Sequence, residues 1–331
     1  FDLLEGMPEL EAYSPDVHLR KLHQQFLALP EDIRQRISEG GLEAAAQAPE
    51  AAEFTRALEQ FTRQFGHLSD SGNDFTAVPW RERPDLVLEM AVNFPDEEST
   101  SGRRLRAADI KLSGISRWMF NLFHRRARRY RLYREQISSL YTYGYGLFRP
   151  YFLELGKRLC ARGILTDHQD VFYLNWEEVK RAALVGSAGE DLKALVAQRK
   201  AEIEAVLDVD LPTVIYGEEP PPLIKASRDR LCGIASSRGY YTGPVRVVNG
   251  IQEFSKVRDG DVLVIPFSDV GWTPLFAHAG AVVAESGGML SHASIIAREY
   301  SGAMRLTDGA IVTVDGYKGE VHVHQVENKE A

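Results

Sequence analysis

The chain has 331 residues, 44% hydrophobic and 26% charged, which is the balance of a globular protein large enough for two domains. Its formal net charge of -8 gives no field that would draw nucleic acid. No stretch is long and apolar enough to predict a membrane span, and two cysteines, Cys160 and Cys232, exclude a disulfide framework and fit a reducing, cytoplasmic setting.

The opening, FDLLEGMPELEAYSPD, has no charged-then-apolar leader, and the missing initiator Met predicts a fragment or a processed chain. Residues 1 to about 205 then read as helix after helix. In PDVHLRKLHQQFLALPEDIRQRIS, Leu19, Leu22, Phe26 and Leu29 recur at helical spacing until Pro30 interrupts. APEAAEFTRALEQFTRQFG runs from Pro49, placed for a first turn, to Gly66, placed for a cap. The segment from Gly114 predicts one or two long helices ending at Gly163. NWEEVKRAALVG and GEDLKALVAQRKAEIEAVL predict two more.

Between helices lies the polar run HLSDSGND. His67, Asp70, Ser71, Asn73 and Asp74 fall close together after Gly66. Such a loop can line an acceptor site, with His67 or Asp74 able to deprotonate a hydroxyl. It also fits an Asx- and Ser-rich turn that organises its own backbone. HRRARRYRLYRE carries Arg125, Arg126, Arg128, Arg129, Arg131 and Arg134. Guanidinium forks suit phosphate, and a solvated helix face with local ion pairs is the alternative.

From Gly233 the grammar changes. GPVRVVNG, DVLVIPF, GAVVAES, AIVTVDG and GEVHVHQV are short β-rich runs separated by glycine turns, interrupted by one predicted helix, SHASIIAREY. Pro220, Pro221 and Pro222 predict an extended connector between the halves. The fold class expected is α+β, with a helical domain over 1–205, a linker over 206–230 and a β-rich domain over 231–326.

The helix in that second half starts at GGMLSH. Ser291 is a good N-cap, which puts His292 in the first turn, with Ala293, Ile296, Ala297 and Tyr300 on one apolar face. Backbone N–H groups at a helix start favour an anion, and Gly287 and Gly288 let backbone approach it closely. A neutral imidazole there can accept a phosphoryl group, and Thr273, Ser291 and Arg298 can add donors. On spacing alone, an exposed histidine that happens to follow a cap fits equally well. His322 and His324 alternate on a strand and predict solvent exposure. The histidines and cysteines show no zinc spacing, and no Walker A sequence occurs.

GGMLSHASIIAREY resembles the active-site signature of the swivelling phosphohistidine domain of phosphoenolpyruvate-utilising enzymes. LCGIASSRGYYTGPVRVV, DVLVIPFSDVGWTPLFAHAGAVVAESGG and DGAIVTVDGYKGEV resemble the segments around it, so the likeness spans about residues 231 to 323. It implies a β/β/α swivelling fold with His292 as phosphoryl carrier. Ser291, Thr273, Arg298 and Gly288 would cradle the phosphate. Family members commonly continue after the helix with Gly-Ile-Pro-Ala-Val, and SGAMRLTDG is too short for that; an omitted loop is the expectation. SSRG stands where the family often has Ser-Pro-Gly.

In the helical half, FTRQFGHLSDSGNDFTAVPWRERPDLVLEM and the stretch from YREQISSLYTYGYGLFRPYF resemble the domain that precedes the histidine domain in rifampicin phosphotransferase-like proteins. Arg134, in YRE, matches that pattern. The resemblance implies a phosphotransferase that needs ATP and magnesium at an ATP-grasp nucleotide domain not found in these residues, with a small hydroxylated acceptor, rifamycin-like or other. A phosphoenolpyruvate synthase or pyruvate dikinase acting on pyruvate is the alternative enzyme, and a non-catalytic interaction module with the swivelling fold is the alternative of another class. No nucleic acid or membrane partner is implied. A carrier that swings also implies a modest, polar interface between the two halves, because a dry one would oppose movement.

Overall fold

The computed structural model describes residues 7–95, 110–185, 191–205, 230–233, 235, 239–267, 269–285, 298–299 and 306–324. The described residues form two compact units. One takes in Phe1–Gly72, Val78–Tyr143 and Ile224–Ala331; the other takes in Asn73–Ala77 and Gly144–Leu223.

The first unit begins with α1 (Pro15–Leu27), α2 (Glu31–Gln47), α3 (Ala52–Phe65) and α4 (Pro84–Val92). Proline starts α1 and α4, where its missing N–H has no intrahelical role to lose. Each helix turns an apolar stripe inward. Leu19, Leu22 and Phe26 come from α1, Phe54, Leu58, Phe61 and Phe65 from α3, and Leu86, Val87 and Met90 from α4. The long α5 (Gly114–Gly146) follows and buries only Thr142 among its described residues.

The sheet has the strands β1 (Arg230–Cys232), β2 (Tyr240–Val247), β3 (Asp261–Ile265), β4 (Ala279–Ala284), β5 (Arg298–Glu299), β6 (Ile311–Asp315) and β7 (Glu320–Val323), in the order β1-β7-β6-β2-β3-β4-β5. One half is antiparallel, β1 with β7, β7 with β6 and β6 with β2. The other is parallel, β2 with β3, β3 with β4 and β4 with β5. Strand alternation sends β3 to two cores at once: Leu263 and Ile265 to one, Val262 and Val264 to the other. Gly280 on β4 has no room for a side chain, since the Tyr241 ring occupies that space.

Two expectations change here. Arg298 and Glu299 are not the end of a helix through Tyr300. They pair in parallel with Val283 and Ala284 of β4. The interface between the N-terminal helices and the sheet is also not modest and polar. Leu19, Phe54, Phe61 and Met90 share one buried apolar cluster with Val248, Phe254, Leu263, Ile265, Trp272 and Leu275. The physical reason is that the Leu263–Ile265 face of the sheet is apolar, and the inward stripes of these helices cover it.

The second unit contains α6 (Phe148–Ala161), α7 (Trp176–Leu184) and α8 (Leu192–Glu204). After α6, Gly163 adopts φ +71°, the left-handed step that stops a helix. Asn175 and Glu178 cap α7 reciprocally, as a capping box. Leu159, Leu165, Val171, Val179 and Val196 form the core. Arg149 is buried, and its guanidinium donates to the carbonyl of Thr76 at 2.6 Å.

Candidate functional site

Gly288, Ser291 and His292 lie outside the described residues, as does the short SGAMR segment, and Arg298 is described only as part of β5. The site can be built from the side that is described, where Thr273 and the polar loop after α3 meet.

Thr273 opens α9 (Thr273–Phe276), directly after a 3-10 turn over Val270–Trp272. Asp269 caps that turn, its carboxylate accepting from the Val270 N–H at 2.7 Å. The Thr273 hydroxyl donates to the Val270 carbonyl at 2.7 Å. Trp272, beside it, is fully buried. This turn belongs to the segment that leads toward the histidine motif.

The loop after α3 is fixed onto the same turn. The Gly72 N–H donates to Asp269 Oδ2 at 2.7 Å, and the indole N–H of Trp272 donates to the Asp70 carbonyl at 3.0 Å. The Ile251 N–H donates to Asp70 Oδ1 at 3.2 Å. Gly271 packs so close to the Ser69 carbonyl that a Cβ there would collide with it. The other edge of the loop is held by Trp80 and Arg81, whose N–H groups donate to the carbonyls of Leu68 and Gly66 at 2.8 and 2.9 Å. Burial pushes the Asp70 carboxyl above its ordinary value, against the opposing pull of the Ile251 N–H and Arg83.

His67 starts this loop and is buried, edge-on to Tyr143 with ring centroids 5.5 Å apart. Burial, and then the Arg81 charge, hold its pKa below the ordinary imidazole value, so the ring is neutral at pH 7. It lines a cavity of about 180 Å³ together with Gln64, Glu135, Ser139, Thr142 and Val270. That cavity joins the loop, the C-terminal part of α5 and the turn that precedes Thr273.

The other proposed acceptor residues take different places. Arg134, on α5, is exposed and lies 3.8 Å from Glu135, which lines the cavity. The Asp74 carboxylate accepts from both the N–H and the hydroxyl of Thr76, at 2.8 and 2.7 Å, and so organises its own turn in the second unit. The sequence reading did not single out Asp269, Glu135 or Thr142. Asp269 lay in SDVGWTP, inside the segment resembling the phosphohistidine domain, but its partner Gly72 is distant in sequence. The His322 ring meets Glu320 at 3.1 Å, and the His324 ring meets the Thr313 hydroxyl at 2.6 Å. Among the described residues no three His, Cys, Asp or Glu side chains gather to hold a metal ion. No helix of the described residues is long and apolar enough to cross a membrane.

Residues 257–319 match the family described as PEP-utilising enzyme, mobile domain. An uncharacterized protein of Mycobacterium tuberculosis is 31% identical over 313 residues, covering 89% of this chain and 34% of that protein. The uncharacterized phosphotransferase YvkC of Bacillus subtilis is 26% identical over 330 residues, covering 89% of this chain and 38% of its own length. A rifampicin phosphotransferase of a Streptomyces species is 26% identical over 335 residues, covering 92% of this chain and 38% of its own. The chain thus spans 34% to 38% of the length of these relatives. Residues 257–319 thus match the PEP-utilising mobile domain, and most of the chain is similar to proteins that include named phosphotransferases.

Proposed function

We propose that this chain is the carrier and acceptor part of an ATP-dependent, dikinase-type phosphotransferase. His292 takes a phosphoryl group at an ATP-grasp domain outside these residues and delivers it to a hydroxyl compound. The β- and γ-phosphates pass together from ATP to a ring nitrogen of His292 as the α–β bond breaks and AMP leaves; water then cleaves the β–γ bond, releasing phosphate and leaving the β-phosphoryl group on the ring. Ser291, Thr273, Arg298 and Gly288 hold the phosphate. The observation that carries this reading is the attachment of the Ser69–Gly72 loop to the Asp269–Thr273 turn. It joins a polar cavity in the helical part to the segment that leads into the histidine motif.

The experiment is phosphoryl labelling of the intact protein with ATP labelled at the β-phosphate, followed by mapping of acid-labile label. Label at His292, lost in His292→Ala, is the expected result. Stable label elsewhere, or label that survives His292→Ala, overturns the carrier role. The 331-residue chain alone should take no label from ATP.

A further inference from the structure

His67 is 9% exposed, and its Nε2 has no hydrogen-bond partner. The Gln64 backbone carbonyl acts on the ring, and with Nε2 unpartnered we assign the ring hydrogen to Nδ1. An imidazole that donates from Nδ1 to a carbonyl carries a bare lone pair on Nε2. A buried acceptor of this kind is rarely left unmet. The lining is mixed: Ala12, Phe65, Leu68 and Val270 are apolar, and the rest carry polar groups. Gln64, Ser139 and Thr142 bring neutral donors and acceptors, Glu135 brings a carboxylate, and no Lys or Arg lines the cavity. Arg81, whose charge reaches His67, and Arg134, 3.8 Å from Glu135, stand outside the lining, so a carboxylate or phosphate ligand in the cavity would face Glu135 first. The space, about 180 Å³, is below the roughly 300–1,000 Å³ of pockets that enclose drug-sized ligands.

From these features we infer that the cavity takes a small uncharged polyol, or the polyol arm of a larger compound, and that His67 Nε2 accepts the proton of the hydroxyl to be phosphorylated. This rests on the carrier role proposed for His292. As the hydroxyl oxygen bonds to phosphorus, its proton passes to His67 Nε2. The P–N bond breaks, and its electron pair returns to the His292 ring, which takes up one proton. His67 then releases its proton to solvent, leaving a phosphate monoester and two neutral imidazoles. Macrocyclic acceptors of rifamycin size would enter only by a hydroxylated edge. Pyruvate, an anion, would be excluded.

Two measurements test this. The first is 15N NMR of the histidine-labelled chain with glycerol, erythritol or pyruvate added. The expected spectrum has His67 neutral at about pH 7.5 with the hydrogen on Nδ1, and the Nε2 signal moves with glycerol or erythritol and stays with pyruvate. A hydrogen on Nε2, a protonated ring, no response to either polyol, or a response to pyruvate overturns the assignment. The second is transfer from the ATP-labelled intact protein to glycerol and erythritol. His67→Gln should label at His292 as the parent does and lose about 100-fold or more in transfer. Transfer at the parental rate, or a labelled parent that phosphorylates neither polyol, sinks the proposal. A parent that takes no label at His292 defeats the carrier reading instead and leaves the NMR result to judge the cavity.

Discussion

Helices α3 and α5 carry the same kind of sequence pattern and meet opposite fates. In α3, Phe54, Leu58, Phe61 and Phe65 recur at helical spacing and are all buried. In α5, Met119, Phe123, Tyr130, Tyr133, Ile137 and Leu140 recur just as regularly, and all are exposed, Leu140 at 71%. Contacts within α5 are local: the Arg129 guanidinium donates to the Tyr133 hydroxyl at 2.7 Å and lies over its ring, and Phe120 stacks on His124. Such pairs contribute about 0.2–0.5 kcal/mol each. A buried phenylalanine contributes several times more. Periodicity therefore predicts a helix and its apolar face, while the energy of that face depends on what covers it.

The sharpest way to break this comparison is to truncate its buried side. Phe61 touches Phe65 and stacks on the fully buried Trp80. Phe61→Ala should lose about 3–5 kcal/mol in urea unfolding, since it removes a ring and leaves a cavity. A loss under about 1 kcal/mol would show that the α3 core is loose.

The loop between them comes next. Asp269→Ala removes the acceptor of the Gly72 and Val270 N–H groups and should cost about 1–3 kcal/mol in the same measurement. Asp269→Asn, which keeps one carbonyl oxygen, should recover part of it. Equal losses in both variants would mean that the carboxylate charge, and not the hydrogen bonds, holds the loop.

Two titrations in the loop have opposite signs. The His67 pKa is lowered in the fold, so between that value and the ordinary one of about 6.5 the unfolded chain binds more protons. Its contribution to stability is complete above that window and is lost as pH falls through it. The Asp70 pKa is raised, so the folded state holds the proton more tightly, and stability falls as pH rises through its folded value. His67→Gln should flatten the decline of melting temperature on acidification below about pH 6.5. Asp70→Asn, which keeps an acceptor for the Ile251 N–H, should raise the melting temperature slightly at pH 7. A lower one would mean that the ionised carboxylate is needed.

The smallest effect belongs to α5. Ile137→Ala, on the exposed face, should change stability by no more than about 0.5 kcal/mol. A loss like that of Phe61→Ala would show that the face is covered in solution.

The sequence by itself determined the helices α1 to α3 and α5 to α8, from apolar residues at helical spacing and, at most of their ends, a Pro, Gly or Asn; α4 was not among those predicted. It also determined β2, β3, β4, β6 and β7, whose β-branched runs are bounded by turns, and the mobile-domain resemblance, which is written in contiguous residues. Tertiary structure alone decided the rest. β1 and β5 are too short to carry a pattern, and they exist because β7 and β4 offer them a ladder. The apolar union of the sheet with the N-terminal helices could not be read locally, because Leu263 and Ile265 are equally consistent with any cover. The cavity at His67 draws on residues from Ala12 to Val270, and a bare ring nitrogen at its wall depends on which groups the fold brings near it. Hydrophobic periodicity reports one segment at a time, whereas burial, pKa and unmet hydrogen bonds are properties of neighbours distant in sequence.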